Sequence, residues 1–316
     1  MIVSPQLNQK AITVFGSANL DIVAYLDEPP IVGETIQARA VSLGLGGKGA
    51  NQAVAVSKLG ARTTLIGAVG NDAFGEQIKV TLGGYPIDLR VRQAEEHTTG
   101  LALIDIYHSG DNVIRLSGGA NLTISPSDAV HNSDILSRTD VLLLQNEVPL
   151  QASLEAARLT RSNGGWVIMD PAPAPVPAWG REVISSFDIF TPNATETGLL
   201  LGHIPTSLAE GELAAVELTQ HGLATAVVKL GSIGVAWCHE GQVGRMEALK
   251  VDAIDTVGAG DCFNAGLAVG LCMSSDFEAA VRFASCCAAI SVTRNGAAIA
   301  APNIEEVMSL LSVRPW

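Results

Sequence analysis

The chain has 316 residues, 47% of them hydrophobic and 16% charged, with 32 glycines. That length buries a large core, as one domain or one domain with a smaller appendage, and the composition excludes a disordered chain. With 32 acidic against 19 basic residues the net charge is -13, and no Lys/Arg cluster offers the basic face a nucleic acid needs.

The opening stretch "MIVSPQLNQKAITVFGSANLD" has no apolar core followed by a small-residue cleavage site, so no signal peptide is expected. No 18-residue run is apolar enough for a membrane span. The first strand is expected over 11–16, "AITVFG". In "GSANLDIV" behind it, Asn19 and Asp21 stand two apart, so on an extended backbone both point the same way. They read either as a hydroxyl clamp or as ordinary turn formers. Residues 20–43 and roughly 98–117 read as extended segments without a helix between them. We expect them to form a small second sheet projecting from the main one, a candidate lid.

"GLGGKGANQA" (44–53) holds the densest glycine cluster. It formally matches a dinucleotide fingerprint at Gly44, Gly46 and Gly49, but the first well-flanked strand lies far upstream of it. Lys48 is followed by Gly49 rather than Ser or Thr, which rules out a P-loop. What remains is a backbone a polar ligand can approach closely, with Lys48 and the amide of Asn51 beside it. A polyol suits such a site better than a flat ring.

Further strands are expected at 63–70, 101–107, 140–145, 166–170, 189–193 and 225–231, with helices at 50–60, 73–84 and 149–165. Unbroken Val/Ile/Leu runs alternating with helices indicate a mainly parallel sheet covered on both faces. Glu147 follows an apolar strand, where open α/β sheets bind ligands. "PAPAPVPAW" (171–179) is a stiff loop. In "TPNATE", Asn193 and Glu196 are three apart: a capping pair, or an amide and carboxylate near phosphates and Mg²⁺. "KLGSIG", Lys229 to Gly234, either wraps a nucleotide or joins a hairpin. The five cysteines all lie in the last third, and Cys286 and Cys287 are adjacent, so buried thiols of a cytoplasmic protein are expected. The six histidines show no zinc spacing, and no Gly-x-Ser-x-Gly elbow is present.

"DTVGAGDCFNAGLAVG" (255–270) carries the most chemistry. If Gly258-Ala259-Gly260 opens a helix, its N–H groups form an anion pocket backed by the helix dipole. Asp261 beside that pocket can take a proton from an alcohol attacking phosphorus, while the N–H groups hold the charge that builds on the phosphoryl group. The plainer alternative makes Asp261 a helix cap.

Taken in order, "NLD" (19–21), "GGKGANQA" (46–53), "VGNDAFG" (69–75), "LLLQNEVPL" (142–150), "TPNATE" (191–196), "KLGSIG" (229–234), "DTVGAGDCFNAG" (255–266) and "VTRNGA" (292–297) resemble the ribokinase-like (PfkB) carbohydrate kinases over nearly the whole chain. Within that family "NLD", "GGKGANQA" and "QNE" look like the members that phosphorylate ribose. The resemblance implies a three-layer α/β/α domain with a β-sheet lid that often forms a dimer contact. It implies transfer of the γ-phosphoryl of ATP to O5 of D-ribose, with Asp261 as base and Gly258, Ala259 and Gly260 framing the anion hole. Asn19, Asp21, Gly47, Lys48, Asn51 and Glu147 would surround the sugar. Asn193, Lys229, Gly231, Ser232, Gly234, Gly260 and Ser285 would lie on the nucleotide side, and Glu196 would order Mg²⁺ through water. K⁺ would be held by Asp255, Val257, Ser291, Arg294 and Gly296, mostly through backbone oxygens. Ala300 departs from a serine common at the monovalent site, Ser285 replaces a larger polar residue near the adenine, and Cys262 beside the base adds a thiol expected to respond to reagents. Kinases of deoxyribose, a nucleoside or another sugar are the nearest alternatives, and a silent sugar- or nucleotide-binding regulator is the alternative of another class.

Overall fold

The computed structural model describes residues 7–109, 111–274 and 276–313, so the first six positions of the opening stretch and Gly110 of the second extended segment lie outside the described residues. In chain order the strands are β1 (Ala11–Phe15), β2 (Asn19–Tyr25), β3 (Ala40–Gly46), β4 (Arg62–Gly70), β5 (Ile87–Ala94), β6 (Gly100–Ile106) and β7 (Asn112–Ser117). They continue as β8 (Val141–Gln145), β9 (Trp166–Asp170), β10 (Ile189–Phe190), β11 (Thr225–Lys229), β12 (Gly234–His239) and β13 (Gln242–Glu247). The helices are α1 (Lys48–Lys58), α2 (Ala73–Leu82), α3 (Pro126–His131), α4 (Ser133–Leu136), α5 (Leu150–Arg161) and α6 (Arg181–Ile184). After them come α7 (Ala194–Leu201), α8 (Leu208–Thr219), α9 (Ala259–Met273), α10 (Phe277–Ser291) and α11 (Ile304–Val313).

The larger sheet has the order β13-β12-β11-β10-β9-β8-β1-β4-β5. From β11 to β5 every neighbour is parallel, while β12 and β13 add an antiparallel edge. The strand period of two sorts each central strand between two cores. Ile12, Val14 and Leu143 face the core shared with α1, α9 and α10, whereas Phe15, Leu142 and Leu144 face the one shared with α5 and α8. Fully burying each such side chain contributes roughly 1.5–3 kcal/mol, which is why these runs need no polar alternation. The result is a three-layer α/β/α domain.

The smaller sheet, ordered β3-β2-β6-β7, gathers the two extended segments seen in the sequence. Its β2–β3 and β6–β7 pairs are antiparallel, and β2 runs parallel to β6. Asn19 pairs in register with Gly46 and Gly100, which brings "NLD" beside "GGKGAN". Asp72 joins the two sheets. It caps α2 through Gly75 N (2.8 Å) and accepts from Thr99 N (2.7 Å) and Thr99 Oγ1 (2.6 Å), at the entry to β6.

Several expected boundaries move. The helix expected at 50–60 begins two residues earlier, at Lys48, and the one expected to reach 165 stops at Arg161, ahead of Gly164 with φ 85°. The strand expected to reach 193 is only Ile189–Phe190, because Asn193 caps α7. The edge strands β5 and β13 escape sequence reading: both alternate with polar residues on half-exposed faces, unlike the continuous runs of buried strands. None of the five cysteines forms a disulfide, and Cys238, Cys262, Cys286 and Cys287 are buried. Among the described residues no helix is long and apolar enough to cross a membrane.

Candidate active site

Polar residues end the central parallel strands on one side: Gln145 on β8, Asp170 on β9 and Lys229 on β11. Onto that edge comes the N-terminus of α9. Gly258 stands just before it at φ 76°, and an added Cβ would lie 2.8 Å from the Cα of Ala297, so conformation and space both require glycine. Asp261 occupies the first turn and is only 5% exposed. No side chain caps α9, which removes the capping explanation for Asp261. Its carboxylate reaches across to α1: Asn51 Nδ2 donates to Oδ2 and Gln52 Nε2 to Oδ1, each at 3.0 Å. Of the N–H groups expected to frame an anion pocket, that of Ala259 turns back to the Thr256 carbonyl at 3.3 Å.

Burial raises the Asp261 carboxyl above its ordinary value. Lys48 opposes this, Asp170 adds to it, and the hydrogen bonds from Asn51 and Gln52 oppose it. Lys48, the first residue of α1, is itself half-buried. Burial pulls its ammonium down, but Asp261, Asp170, Glu147 and Glu196 outweigh that and hold it above the ordinary lysine value, hence charged. A cation thus sits among four carboxylates.

On the smaller-sheet side lie Asn19, Asp21, Gly47 and Glu147. Asn19 is oriented by a residue the sequence reading missed: Asn121 Nδ2 donates to Asn19 Oδ1 at 2.7 Å, and Asn121 Oδ1 accepts from Ala18 N at 3.0 Å. This engages the Asn19 oxygen. Glu147 accepts from Ser17 Oγ and from Lys48 N (3.0 Å), locking the entry to α1, which follows Gly47 at φ 85°. Asp21 is mostly buried, and burial, then Glu147, then Asp261 push its carboxyl up to about 7. Its Oδ1 has no hydrogen-bond partner among the described residues, and neither has Asn51 Oδ1. Two buried acceptors here await donors, which is what sugar hydroxyls supply.

A cavity of about 1110 Å³ opens on the other side of Lys48 and Asp261. Lys229 and the run from Gly231 to Gly234, Asn193 with Glu196, Gly260 and Ser285 all line it. The run is the turn of the β11–β12 hairpin, so the hairpin expectation for "KLGSIG" holds, and the same turn lines the cavity. Asn193 and Glu196 form a reciprocal capping box: Asn193 N and Nδ2 donate to the carboxylate at 2.7 and 2.8 Å, and Glu196 N donates back at 2.8 Å. Lys229 pairs with Asp170 at 3.1 Å. Asn19, Asp21, Asn51 and Glu147 lie outside this cavity, whereas Lys48 and Asp261 belong to both sides.

Asp255 closes the loop beneath the α9 entrance. Its carboxylate accepts from Val257 N (3.0 Å) and Gly296 N (2.8 Å), drawing the two segments expected to hold K⁺ together. The Ser291 carbonyl accepts from Arg294 N at 3.2 Å, and the Arg294 guanidinium pairs with Glu306. With the Asp255 oxygens and the Arg294 side chain engaged, a cation here would have to be held mainly by backbone oxygens. Ala300 is buried and brings no side-chain oxygen. Among the described residues no group of three His, Cys, Asp or Glu could hold a metal. A Mg²⁺ would fit only as a mainly phosphate- and water-held ion near Glu196.

One expectation fails. Cys262 is 2% exposed, and burial pushes its thiol up to about 12, so it is neither reachable nor ionised for attack by reagents. Ser17, Gln52, Asn121, Gln145 and Asp170 are the site residues sequence reading did not single out. Gln145 and Asp170 had a signal, a polar residue closing an apolar strand, and Gln52 lies inside a quoted motif.

The family model for pfkB family carbohydrate kinase matches residues 9–304. A ribokinase of Haemophilus influenzae is 35% identical over 307 residues, covering 96% of this chain and 99% of its own. A deoxyribokinase of Salmonella typhimurium is 34% identical, with the same coverage. The structure of Arabidopsis thaliana ribokinase complexed with ribose and ATP superposes with a TM-score of 0.88 at 32% identity, covering 96% of this chain and 99% of that one. The chain belongs to the pfkB family of carbohydrate kinases and is an ATP-dependent kinase of the ribokinase type.

Proposed function

We propose that the protein transfers the γ-phosphoryl group of ATP to the 5-hydroxyl of D-ribose, giving D-ribose 5-phosphate and ADP. The observation that carries this reading is the position of Asp261. It is a buried carboxylate at the mouth of α9, shared between the large cavity and the polar cluster under the smaller sheet. ATP occupies the cavity along the β11–β12 turn, with Lys229 and Ser285 beside it. Ribose lies against Asn19, Asp21, Gly47, Lys48, Asn51 and Glu147. Asp261 takes the proton of the 5-hydroxyl as its oxygen bonds to the γ-phosphorus and the bond to the ADP oxygen breaks. The Lys48 ammonium and the remaining first-turn N–H groups of α9 offset the charge on the phosphoryl oxygens. Bound Mg²⁺, ordered through water by Glu196, would screen the phosphates. K⁺, held by backbone oxygens at Val257, Ser291, Arg294 and Gly296 with Asp255, would stiffen the loop leading into Gly258.

The smaller sheet acts as a lid that closes over the sugar and excludes water. Its exposed Val41, Leu43, Ile114 and Leu116 suit a C2 contact with a second copy, which sedimentation at micromolar concentration tests; a lone monomer would contradict it. Five cysteines without a disulfide suit a reducing, cytoplasmic setting. A second reading, a deoxyribose kinase, has the Salmonella typhimurium relative in its favour. The unpaired acceptors on Asp21 and Asn51 favour the sugar with more hydroxyls, because a missing hydroxyl leaves a buried group unsatisfied. An ADP-coupled assay with ribose, 2-deoxyribose, fructose and a nucleoside decides. We expect the highest kcat/KM for ribose. Equal or better use of 2-deoxyribose would favour the second reading, and turnover of the nucleoside alone would overturn both.

A further inference from the structure

Two buried amides back Asp261 and do not line the large cavity. Gln52, on α1, is 0% exposed, and Gln145, at the end of β8, is 1% exposed. Gln145 Nε2 donates to Gln52 Oε1 at 2.6 Å, and Gln52 Nε2 donates to Asp261 Oδ1 at 3.0 Å. The direction of this chain is fixed chemically. An ionised carboxylate only accepts, so Gln52 must turn its NH₂ to Asp261 and its oxygen to Gln145, which must then offer its own NH₂. Space for the chain is built into the backbone: a Cβ at Gly16 would stand 2.0 Å from Gln145 Oε1. The chain's far end, that same oxygen, is buried without a partner among the described residues. Keeping a buried acceptor unsatisfied costs about 1–3 kcal/mol, and an apolar residue at 145 would avoid it. The arrangement costs stability, and what it secures is the Asp261 carboxylate.

We propose that Gln52 and Gln145 are positioning residues, forming an amide relay that pins Asp261 by Oδ1 and turns Oδ2 toward the substrate hydroxyl. This rests on the reading of Asp261 as the base. Pinning one oxygen fixes the rotation of the carboxylate about its χ torsions, and the donated hydrogen bond favours its ionised form. Asn51, which holds Oδ2, is also a sugar-side residue and can turn to the ligand. The relay is then the permanent anchor and Asn51 the exchangeable one.

The test is Gln52→Met, near in volume but unable to donate, with Gln145→Met as a second variant that leaves the Gln52 contact in place and only frees its orientation. For Gln52→Met we expect kcat to fall about 10- to 100-fold, the scale of a misplaced reacting group. KM for ribose and ATP should stay within about threefold, as for an interaction felt in the transition state alone. The acid limb of the kcat profile should move to higher pH, since a hydrogen bond favouring the carboxylate is gone. Lys48 on α1, Asp170 on β9, Asp21 on β2 and Cys262 on α9 also face Asp261, and all are unchanged in both variants. Gln145→Met should shift both quantities the same way by less. A lower melting temperature with unchanged kcat and acid limb would overturn the relay, as would a rise in KM at constant kcat. Should Gln52→Met fail to fold, Gln145→Met decides by the same criteria. Asp261→Asn, assayed alongside, separates the two readings: full activity there removes the base itself, whereas an inactive Asp261→Asn beside wild-type Gln52 and Gln145 variants removes only the relay.

Discussion

Replacing Asp21 by Asn should make the ligand-free protein more stable while weakening the sugar site, and the gain should depend on pH. The Asp21 carboxyl rises from 3.8 to about 7 because burial, Glu147 and Asp261 all disfavour its charge. A raised carboxyl binds its proton more tightly in the folded than in the unfolded chain, so stability is greatest below 3.8, declines as pH rises to about 7, and is flat beyond. The shift of about 3 units, at 1.36 kcal/mol each, gives a penalty of about 4 kcal/mol at pH 8. At pH 5 only the interval above 3.8 has been crossed, leaving a penalty of about 2 kcal/mol. Asn at 21 keeps the shape and carries no charge. Thermal melts without sugar should show Asp21→Asn ahead of wild type at pH 8 by about 6 °C, from an unfolding entropy of about 2.1 cal/mol/K per residue. The lead should roughly halve at pH 5. In parallel, KM for ribose should rise at least about tenfold, from loss of a charged acceptor. A variant no more stable than wild type at pH 8, or a lead that does not narrow on acidification, would refute the reasoning.

Other outcomes follow from the same geometry. Turnover in K⁺ should exceed turnover in Na⁺ at equal ionic strength, and identical rates would remove the monovalent site around Asp255. A thiol reagent at neutral pH should leave activity intact while the unfolded chain reacts fully; rapid inactivation through Cys262 would contradict its burial. Asp72→Ala removes the α2 cap and the tie to Thr99, so chemical denaturation should show a loss of about 1–2 kcal/mol. An unchanged midpoint would mean that water replaces those bonds.

Much of the fold was legible because buried parallel strands announce themselves. "VLLLQ" and "TAVVK" are unbroken because both their faces meet a core. Strands with one wet face gave weaker signals, as in β5, where Asp88, Arg90 and Arg92 alternate with Ile87, Leu89 and Val91. In the site, Asp261 could be found from its own neighbours in the chain, since glycines and a helix start explain its chemistry locally. Its contacts could not. Gln52 lies 209 positions from it, and Gln145 a further 93 from Gln52, so their relation exists only after the sheet has formed. Asn121 was equally silent, an Asn in a turn until β2 brought Asn19 beside it. Asn193 and Glu196 show the converse: the capping pattern was readable and is present, and it leaves open what else the pair does.

The central claim is that Asp261 removes the hydroxyl proton. Its most direct test is the single-turnover rate of Asp261→Asn with ribose and ATP, measured beside thermal melts and ligand titrations. Asn keeps the size of the side chain but cannot take the proton, so the rate should fall by about 10²–10⁴-fold. Binding of ribose and ATP should change far less, because the contacts of Asn19, Asp21, Glu147 and the β11–β12 turn are untouched. A near-wild-type single-turnover rate in the folded variant would contradict the account.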